Sequence, residues 1–181
     1  MRFRATPEAR RPEGEQMGAH EFGKVGRYCD GRSDYILIPM AIDGATSSLE
    51  GWFVWIGGEG SLLRDATSDG GWSLGHDDGG HLAYRAAGID RVTSVPVETL
   101  RDGWHHYAVT KDEQHVAYYL DGEKVDEWDG APNDGGRGPW TTMHDAPSNT
   151  YVEGFVAQIT FFDYALMAEE VKGHREAGPT A

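Results

Sequence analysis

Residues 102–122 read DGWHHYAVTKDEQHVAYYLDG, and this stretch decides the fold. Two apolar runs with alternating polar residues flank a short polar interval, which is typical of two strands joined by a turn. The stretch ends on the pair Asp121-Gly122, which favours a type I′ hairpin turn because both central residues of that turn need positive φ. The sequence therefore predicts two consecutive strands and a tight turn into a third.

Strand signals recur along the rest of the chain. Apolar runs separated by Gly, Asp, Asn and Pro predict strands at residues 35–39, 48–56, 61–64, 72–76, 81–85, 91–95, 123–128 and 155–162. Residues 129–150 are rich in Gly, Pro and Asn, and they predict a long surface loop with at most one short strand. One helix is predicted over residues 165–176, with Leu166, Met167 and Val171 facing inward.

Composition limits the classes of protein. The 25 glycines and 11% aromatic residues in 181 residues favour a single β-sandwich domain. A net charge of −14 argues against nucleic acid and anionic membrane as partners, because phosphate binding needs positive charge. Cys29 is the only cysteine, so no intrachain disulfide forms, and we expect a buried apolar role for it.

Charge also divides the chain. We interpret residues 1–17 as an extended basic arm, residues 18–176 as the domain and residues 177–181 as a tail. The arm has four basic and three acidic residues, which leaves 12 basic and 27 acidic residues for the remainder. Such an arm is either a free terminus or a segment that orders on a partner. The arm residues with which we expect a partner to interact are Arg2, Phe3, Arg4, Arg10 and Arg11.

No apolar segment typical of a signal peptide is visible near the start of the sequence. We therefore expect synthesis and folding in a cytosol. Display outside a cell on a larger particle, such as a virion, stays open as an alternative.

Four segments resemble, in the same order, the laminin-G-like, concanavalin A-like jelly-roll domains. They are residues 29–39 (CDGRSDYILIP), residues 49–54 (LEGWFV), the hairpin of residues 103–122 and residues 154–171. The resemblance implies an all-β fold, an antiparallel two-sheet β-sandwich with one short C-terminal helix. Lectins, adhesion modules, glycosidases and viral surface proteins share this architecture, so the resemblance indicates the fold much better than the function.

We do not expect an enzyme. The retaining glucanases of this fold need two carboxylates about 5–5.5 Å apart. Acidic residues two and four positions apart on one face of a strand would give that geometry, and the sequence does not contain this pattern. The nearest cluster, residues 123–127 (EKVDE), is typical of a solvated strand face.

The resemblance also implies a Ca²⁺ site near Asp30, Gly31 and Asp34, although no cofactor is required for the expected function. The closing-strand position at which relatives carry an acidic residue is assigned here to Ala157. Because Ca²⁺ takes six to eight oxygen ligands, the absence of a carboxylate at position 157 weakens the expectation of a Ca²⁺ site. The alternative is that Asp30 and Gly31 only shape a turn.

Two histidines suggest a second metal-binding arrangement. His76 and His81 flank the turn that contains Asp77 and Asp78. If the two imidazoles lie opposite each other across a hairpin, they could hold a transition metal together with an aspartate. The alternative is that they are cross-strand polar neighbours with no metal.

Sugar recognition needs an exposed aromatic ring together with polar groups for the hydroxyls. The candidate ligand-binding residues are Trp72, His76, Asp77, Asp78, His81, Trp128, Trp140, His144 and Asn149. Trp128 and Trp140 either cover the core or form an exposed platform. We expect Trp52, Trp55 and Trp104 to lie in the core.

We expect a non-catalytic recognition and assembly role. The leading hypothesis is a virion-associated protein, such as a bacteriophage capsid decoration or tail accessory protein. It would display a glycan- or surface-binding jelly roll and be anchored through its arm. A free-standing lectin-like module is the alternative, and a glycoside hydrolase fits less well. The expected partners are a glycan or surface protein, a larger protein assembly and further copies of the chain in a homo-oligomer.

Overall fold

The computed structural model describes residues 26–39, 46–65, 73–86, 89–113, 115–129, 139–145 and 148–179. The predicted arm of residues 1–17 and the candidate ligand residue Trp72 lie outside these described residues.

The described residues form strands, one 3-10 helix and one α-helix. The strands are β1 (Arg27–Asp30), β2 (Ile36–Ile38), β3 (Ser47–Gly58), β4 (Leu63–Asp65), β5 (Ser73–His76), β6 (His81–Ala86), β7 (Ile89–Pro96), β8 (His105–Asp112), β9 (His115–Leu120), β10 (Glu123–Asp129), β11 (Trp140–Thr142), β12 (His144–Asp145) and β13 (Thr150–Phe162). The 3-10 helix is Val97–Leu100, and α1 is Ala168–Ala177.

The strands form two antiparallel sheets. Sheet A has the order β1-β13-β3-β8-β9-β10, with β12 paired to β13 at one end, and sheet B has the order β2-β11-β4-β5-β6-β7. The predicted all-β sandwich with one short C-terminal helix is confirmed. The hairpin that the sequence analysis began with is β8, β9 and the turn into β10. In that turn Asp121 and Gly122 have φ values of 52° and 85°, as a type I′ turn requires.

The main core lies between the two sheets. Along β3, Leu49, Phe53 and Trp55 point into it, and the period of two follows from the strand pleat. Sheet B contributes Leu74 and Tyr84, among other residues. The ring of Tyr84 stacks on that of Tyr118 from sheet A, with centroids 6.3 Å apart. Removing these large side chains from water supplies most of the driving force for folding.

A second, smaller core lies on the outer face of sheet A, beneath α1. Val171 of α1 and Leu166 just before it are buried there against Ala108, Ala117 and Tyr119. The prediction that the side chains of Leu166 and Val171 face inward is confirmed. The same prediction is wrong for Met167, which is 66% exposed because it lies at the N-cap of the helix rather than on its buried face.

Ser48 fastens the segment before α1 to β3. Its hydroxyl donates a hydrogen bond to the Tyr164 carbonyl oxygen at 2.9 Å and accepts one from the Leu166 amide at 2.8 Å. No helix within the described ranges combines the length and apolarity that crossing a membrane would require.

Two details differ from the sequence predictions. Residues 129–150 contain two short strands, β11 and β12, rather than at most one. The polar loop residues hid them because each strand is only two or three residues long. Trp104 is half-buried and precedes β8 instead of lying within the core, and its ring packs beside that of Phe155, 6.2 Å between centroids.

Strand register places the loops at two opposite ends of the sandwich. Asp30 pairs with Glu153, Gly58 with Val152 and His144 with Tyr151. These pairs mark one end, which we call the β12 end because β12 lies there. The Asp77–Gly80 turn belongs to this end as well, because β5 runs antiparallel to β4 and finishes beside the loop that precedes β4.

Candidate functional site

A group of ring and polar side chains lies at the β12 end. We define the aromatic corner as Tyr35, His144, Ser148, Asn149 and Tyr151. The His144 ring contacts both tyrosine rings, with centroids 4.9 Å from Tyr35 and 4.4 Å from Tyr151. Tyr35 is 44% exposed, Ser148 and Asn149 are exposed, and His144 is buried. The corner therefore combines an accessible aromatic surface with polar groups.

Backbone pairing positions these side chains. Tyr35 directly precedes β2, which pairs with β11 through Ile36 and Thr142. Two residues further on, His144 begins β12 and pairs with Tyr151 of β13. Two chain segments that are far apart in sequence, the one that carries Tyr35 and the one that carries β12 and β13, thus meet at one point.

Glycine lets β3 approach this point closely. Gly58 has a φ of +91°, and a Cβ at that position would collide with the carbonyl oxygen of Tyr151. Asn149 directly precedes β13, and its φ of 53° lies in the left-handed region that Asn tolerates. The Tyr151 hydroxyl donates to the Asn149 side-chain oxygen at 3.2 Å, which fixes the orientation of that amide.

An ion pair supports the corner from beneath. Arg64 of β4 donates from Nη1 to Oδ2 of Asp145 in β12 at 3.0 Å. The side chains are 8% and 20% exposed, so the pair is largely shielded from water. The Ser61 hydroxyl approaches the same carboxylate oxygen at 3.5 Å. Asp145 therefore fastens β12 onto sheet B.

The environment of His144 keeps its imidazole neutral. Burial lowers the pKa of His144, and the nearby Asn149 side chain and Asp145 carboxylate oppose this shift only in part. Because burial penalises the charged form, protonating this imidazole is costly.

The structure does not support an exposed platform at Trp128 and Trp140. The two residues are 9% and 1% exposed, and both belong to the main core. Trp128 packs on Tyr84 at 5.2 Å between centroids, and Trp140 packs on Phe161 at 5.8 Å. Of the two alternatives, the platform is wrong, because both rings fill space between the sheets.

The predicted histidine pair does not face across its hairpin. His76 pairs with Leu82, whereas His81 pairs with Pro96. His76 therefore lies on the core side, edge-on to Trp55 at 5.3 Å between centroids. His81 precedes Leu82 in β6, so its side chain points to the opposite face. The prediction of chelation by the two facing rings is wrong, because the regular register of β5 and β6 pairs His76 with Leu82 and leaves His81, as the neighbour of Leu82, on the other face.

Asp77 has a local structural role instead. Its carboxylate accepts the His81 amide hydrogen at 2.7 Å and closes the turn through Asp78. This turn shares the β12 end with the aromatic corner, so four of the predicted ligand residues lie near that end together with His144 and Asn149.

Asp30 also organises a turn. One of its carboxylate oxygens accepts backbone hydrogens from Arg32, Ser33 and Asp34 at 2.9, 2.9 and 3.1 Å. The hydrogen bonds from Ser33 and Arg32 lower the pKa of this carboxyl group. Gly31 has a φ of +69°, and a Cβ there would lie 2.8 Å from that of Glu153.

These contacts support the turn alternative at Asp30 and Gly31. The closing-strand acid opposite this turn is Glu153, whose carboxylate accepts the Tyr28 hydroxyl at 2.9 Å. Ala157 lies further along β13, opposite Trp52. In the described ranges no group of three or more His, Cys, Asp or Glu residues could hold a metal. The Ca²⁺ site near Asp30, Gly31 and Asp34 stays a prediction.

Two further groups carry shifted pKa values. Burial raises the pKa of the Cys29 thiol to about 12, consistent with an unreactive side chain. Burial lowers the pKa of His105, but hydrogen bonds to Asp121 and Asp102 outweigh it, so the net shift is upward. Neither group belongs to the aromatic corner.

Sequence reasoning missed Tyr35, Tyr151 and Arg64. A signal for the first was present, because the alternation of Tyr35-Ile36-Leu37-Ile38 places Tyr35 and Leu37 together on the face opposite the core. No pattern indicated that β12 would bring His144 against this tyrosine.

The fold and the corner define a jelly-roll domain of the concanavalin A-like type, and comparisons with known proteins agree. The chain belongs to the concanavalin A-like lectin/glucanases superfamily, since the Laminin_G_3 family model matches residues 30–172. No curated protein matches the sequence.

Three solved structures illustrate the likeness. The binding domain of Paraclostridial Mosquitocidal Protein 1 has a TM-score of 0.62 and 16% identity over 86% of this chain and 48% of that one. The botulinum neurotoxin serotype D binding domain has a TM-score of 0.62 and 12% identity over 91% and 45%. Domain 4 of AbnA, an extracellular arabinanase from Geobacillus stearothermophilus, has a TM-score of 0.61 and 15% identity over 93% and 85%. This chain thus spans about half the length of the two toxin domains.

Proposed function

We propose that the chain is a non-catalytic recognition module that binds a saccharide at the aromatic corner. The observation that carries this proposal is the 44% exposed ring of Tyr35, backed by the buried ring of His144. An exposed aromatic face receives the apolar face of a sugar, and the neighbouring Asn149 and Ser148 offer groups to its hydroxyls.

The structural neighbours are compatible with recognition. Two of them are binding domains of toxins, and the AbnA domain was solved in complex with arabinotriose. At their low identities the likeness establishes the fold alone. The geometry of the corner therefore carries the argument, and the neighbours only make a saccharide a sensible first ligand to test.

A catalytic role has little support at this corner. Asp145, which follows His144 in β12, is bound by Arg64 and approached by Ser61. A glycosidase needs one carboxyl group as acid or base and a second one beside it. A carboxylate engaged in an ion pair is poorly suited to accept a proton, because the pair stabilises its ionised form.

The test is a glycan array probed with the wild-type protein and two matched variants. Tyr35→Ala removes the exposed ring of the corner. Tyr164→Ala removes an equally exposed ring, 45% accessible, that lies beyond the other end of β13. We expect Tyr35→Ala to weaken every hit by about tenfold, the equivalent of 1.4 kcal/mol, and Tyr164→Ala to leave the hits unchanged. Equal effects of the two variants would refute the assignment of the site.

We propose as a second function that residues 1–17 attach the domain to a larger assembly, with a bacteriophage capsid or tail as the leading context. The support is the charge asymmetry between the arm, with its four arginines, and the acidic remainder of the chain. A basic segment is attracted to acidic protein surfaces, including another copy of this domain.

Sedimentation of the full chain beside a variant lacking residues 1–17 tests self-association through the arm. Association through opposite charges should weaken at high salt and disappear in the truncated variant. Identical sedimentation of both proteins at low salt would exclude arm-mediated self-assembly. Pull-down of phage particles from infected cells by the full chain, but not by the truncated variant, would support the viral context.

A further inference from the structure

We infer that the saccharide bound at the aromatic corner is neutral, and that the corner discriminates against sialylated, sulfated and uronic acid sugars. This inference rests on the proposed function and narrows it to a ligand class. Three features carry it: the state of the basic groups, the charge of the surroundings and the chemistry of the exposed polar groups.

The basic groups of the corner are not available to an anion. Arg64 is the cation that supports it, and its guanidinium is paired with Asp145 at 3.0 Å in a largely buried position. His144 does not supply a positive charge, because burial keeps its imidazole neutral at neutral pH. Recognition of a carboxylate or sulfate uses a free cation or several aimed amides.

The surroundings are acidic. Asp34 directly precedes Tyr35 in the sequence, and Asp30 lies in the same turn. Glu59 is on the other flank, where its backbone carbonyl accepts the Thr150 hydroxyl at 3.2 Å. Arg32 is close enough to Asp30 to lower the pKa of that carboxyl group, so the positive charge of Arg32 is partly compensated by Asp30. The chain as a whole carries −14, and an anionic ligand would approach against this field.

The exposed polar groups match hydroxyls. The Tyr151 hydroxyl donates to the side-chain oxygen of Asn149, which leaves the tyrosine oxygen as an acceptor. The exposed Asn149 amide NH2 bonds to His144 through one hydrogen and keeps the other as a donor. The Ser148 and Thr150 hydroxyls lie 2.7 Å apart beside them. Sugar hydroxyls donate and accept, so uncharged groups of both kinds suit a neutral ligand better than an anion.

Paired probes test the inference. An array would hold neutral oligosaccharides, including arabinotriose and lactose, beside sialyllactose, sulfated lactose and oligogalacturonate. Hits would then be titrated with the full chain by calorimetry at low and high NaCl. We expect neutral hits whose affinity changes less than about twofold with salt, since no charge pair forms. The anionic counterpart of each hit should bind at least about tenfold more weakly.

The outcomes separate the inference from the function on which it rests. Anionic glycans that bind more tightly than their neutral counterparts, lose affinity in salt and depend on Tyr35 would overturn the neutral ligand class but keep the site. Binding that does not respond to Tyr35→Ala would overturn both, as would an array without hits for folded protein. Neutral, salt-insensitive and Tyr35-dependent binding supports both.

Discussion

The two tryptophans predicted as a possible ligand platform and the tyrosine that the sequence analysis missed differ in exposure. Trp128 and Trp140 flank a Gly- and Pro-rich stretch, yet both are buried between the sheets. Tyr35 lies in an apolar run, yet it is exposed at the β12 end. The difference teaches that the loop or strand character of the neighbouring sequence does not decide exposure. The pairing partners of the strand that carries the ring decide it.

The largest expected effect is that of Trp140→Ala. Trp140 is 1% exposed and packs on Phe161, so the substitution leaves a large cavity in the main core. We expect a loss of about 3–5 kcal/mol in the free energy of unfolding, measured by urea denaturation. A loss below about 1 kcal/mol would mean that Trp140 is a surface residue after all, and the contrast with Tyr35 would disappear.

Asp145→Ala should have the next largest effect. It leaves the guanidinium of Arg64 without its partner in a site that is mostly shielded from water. We expect a loss of about 3 kcal/mol in the free energy of unfolding. The matched control is the double variant Arg64→Met with Asp145→Leu, which removes both charges and should recover most of the stability. Failure to recover would show that shape, rather than charge, fastens β12.

The pH dependence of the free energy of unfolding should reveal the lowered pKa of His144. Its folded-state pKa lies below the ordinary value of 6.5, so the unfolded chain takes up the proton first as the pH falls. The contribution of neutral His144 to the free energy of unfolding is therefore complete above about pH 6.5, and it is lost as the pH falls through the folded-state pKa. The wild type should lose more stability between pH 7.5 and pH 5.5 than His144→Gln does.

His105 provides the internal check for that measurement. Its pKa is raised in the folded state, so its contribution has the opposite sign: it is present at low pH and lost as the pH rises through the folded-state pKa. Because His105 titrates in both proteins, the difference between them isolates His144. An identical pH dependence would place His144 in contact with water.

The smallest effect on stability should come from Tyr35→Ala. The ring is 44% exposed, and surface substitutions usually change the free energy of unfolding by about 0.5 kcal/mol or less. Contact with His144 adds a little to this cost. A loss above about 2 kcal/mol in urea denaturation would assign Tyr35 to the framework and would weaken its role as a ligand surface.

The sequence was a good guide to the fold because periodicity and turn residues are local signals. The Asp121-Gly122 turn, the long apolar run of β3 and the closing strand β13 were all predicted, and the turn has the required positive φ values. The aromatic corner was not predictable in the same way. His144 and Asn149 were named, but their companions Tyr35 and Tyr151 come together only through the pairing of β12 with β13 and of β2 with β11.

The order of strands in sheet A bears on how the chain folds as it leaves a ribosome. The strand β13 lies between β1 and β3, so these two strands cannot complete their pairing until β13 has been made. β1 pairs with β13 alone within the described sheets, and the inner edge of β3 stays open until residue 150 and beyond have emerged. An unpaired edge of this length invites association with other chains. Slow translation before β13 should therefore favour aggregation of nascent chains, and rapid synthesis of β13 should protect them.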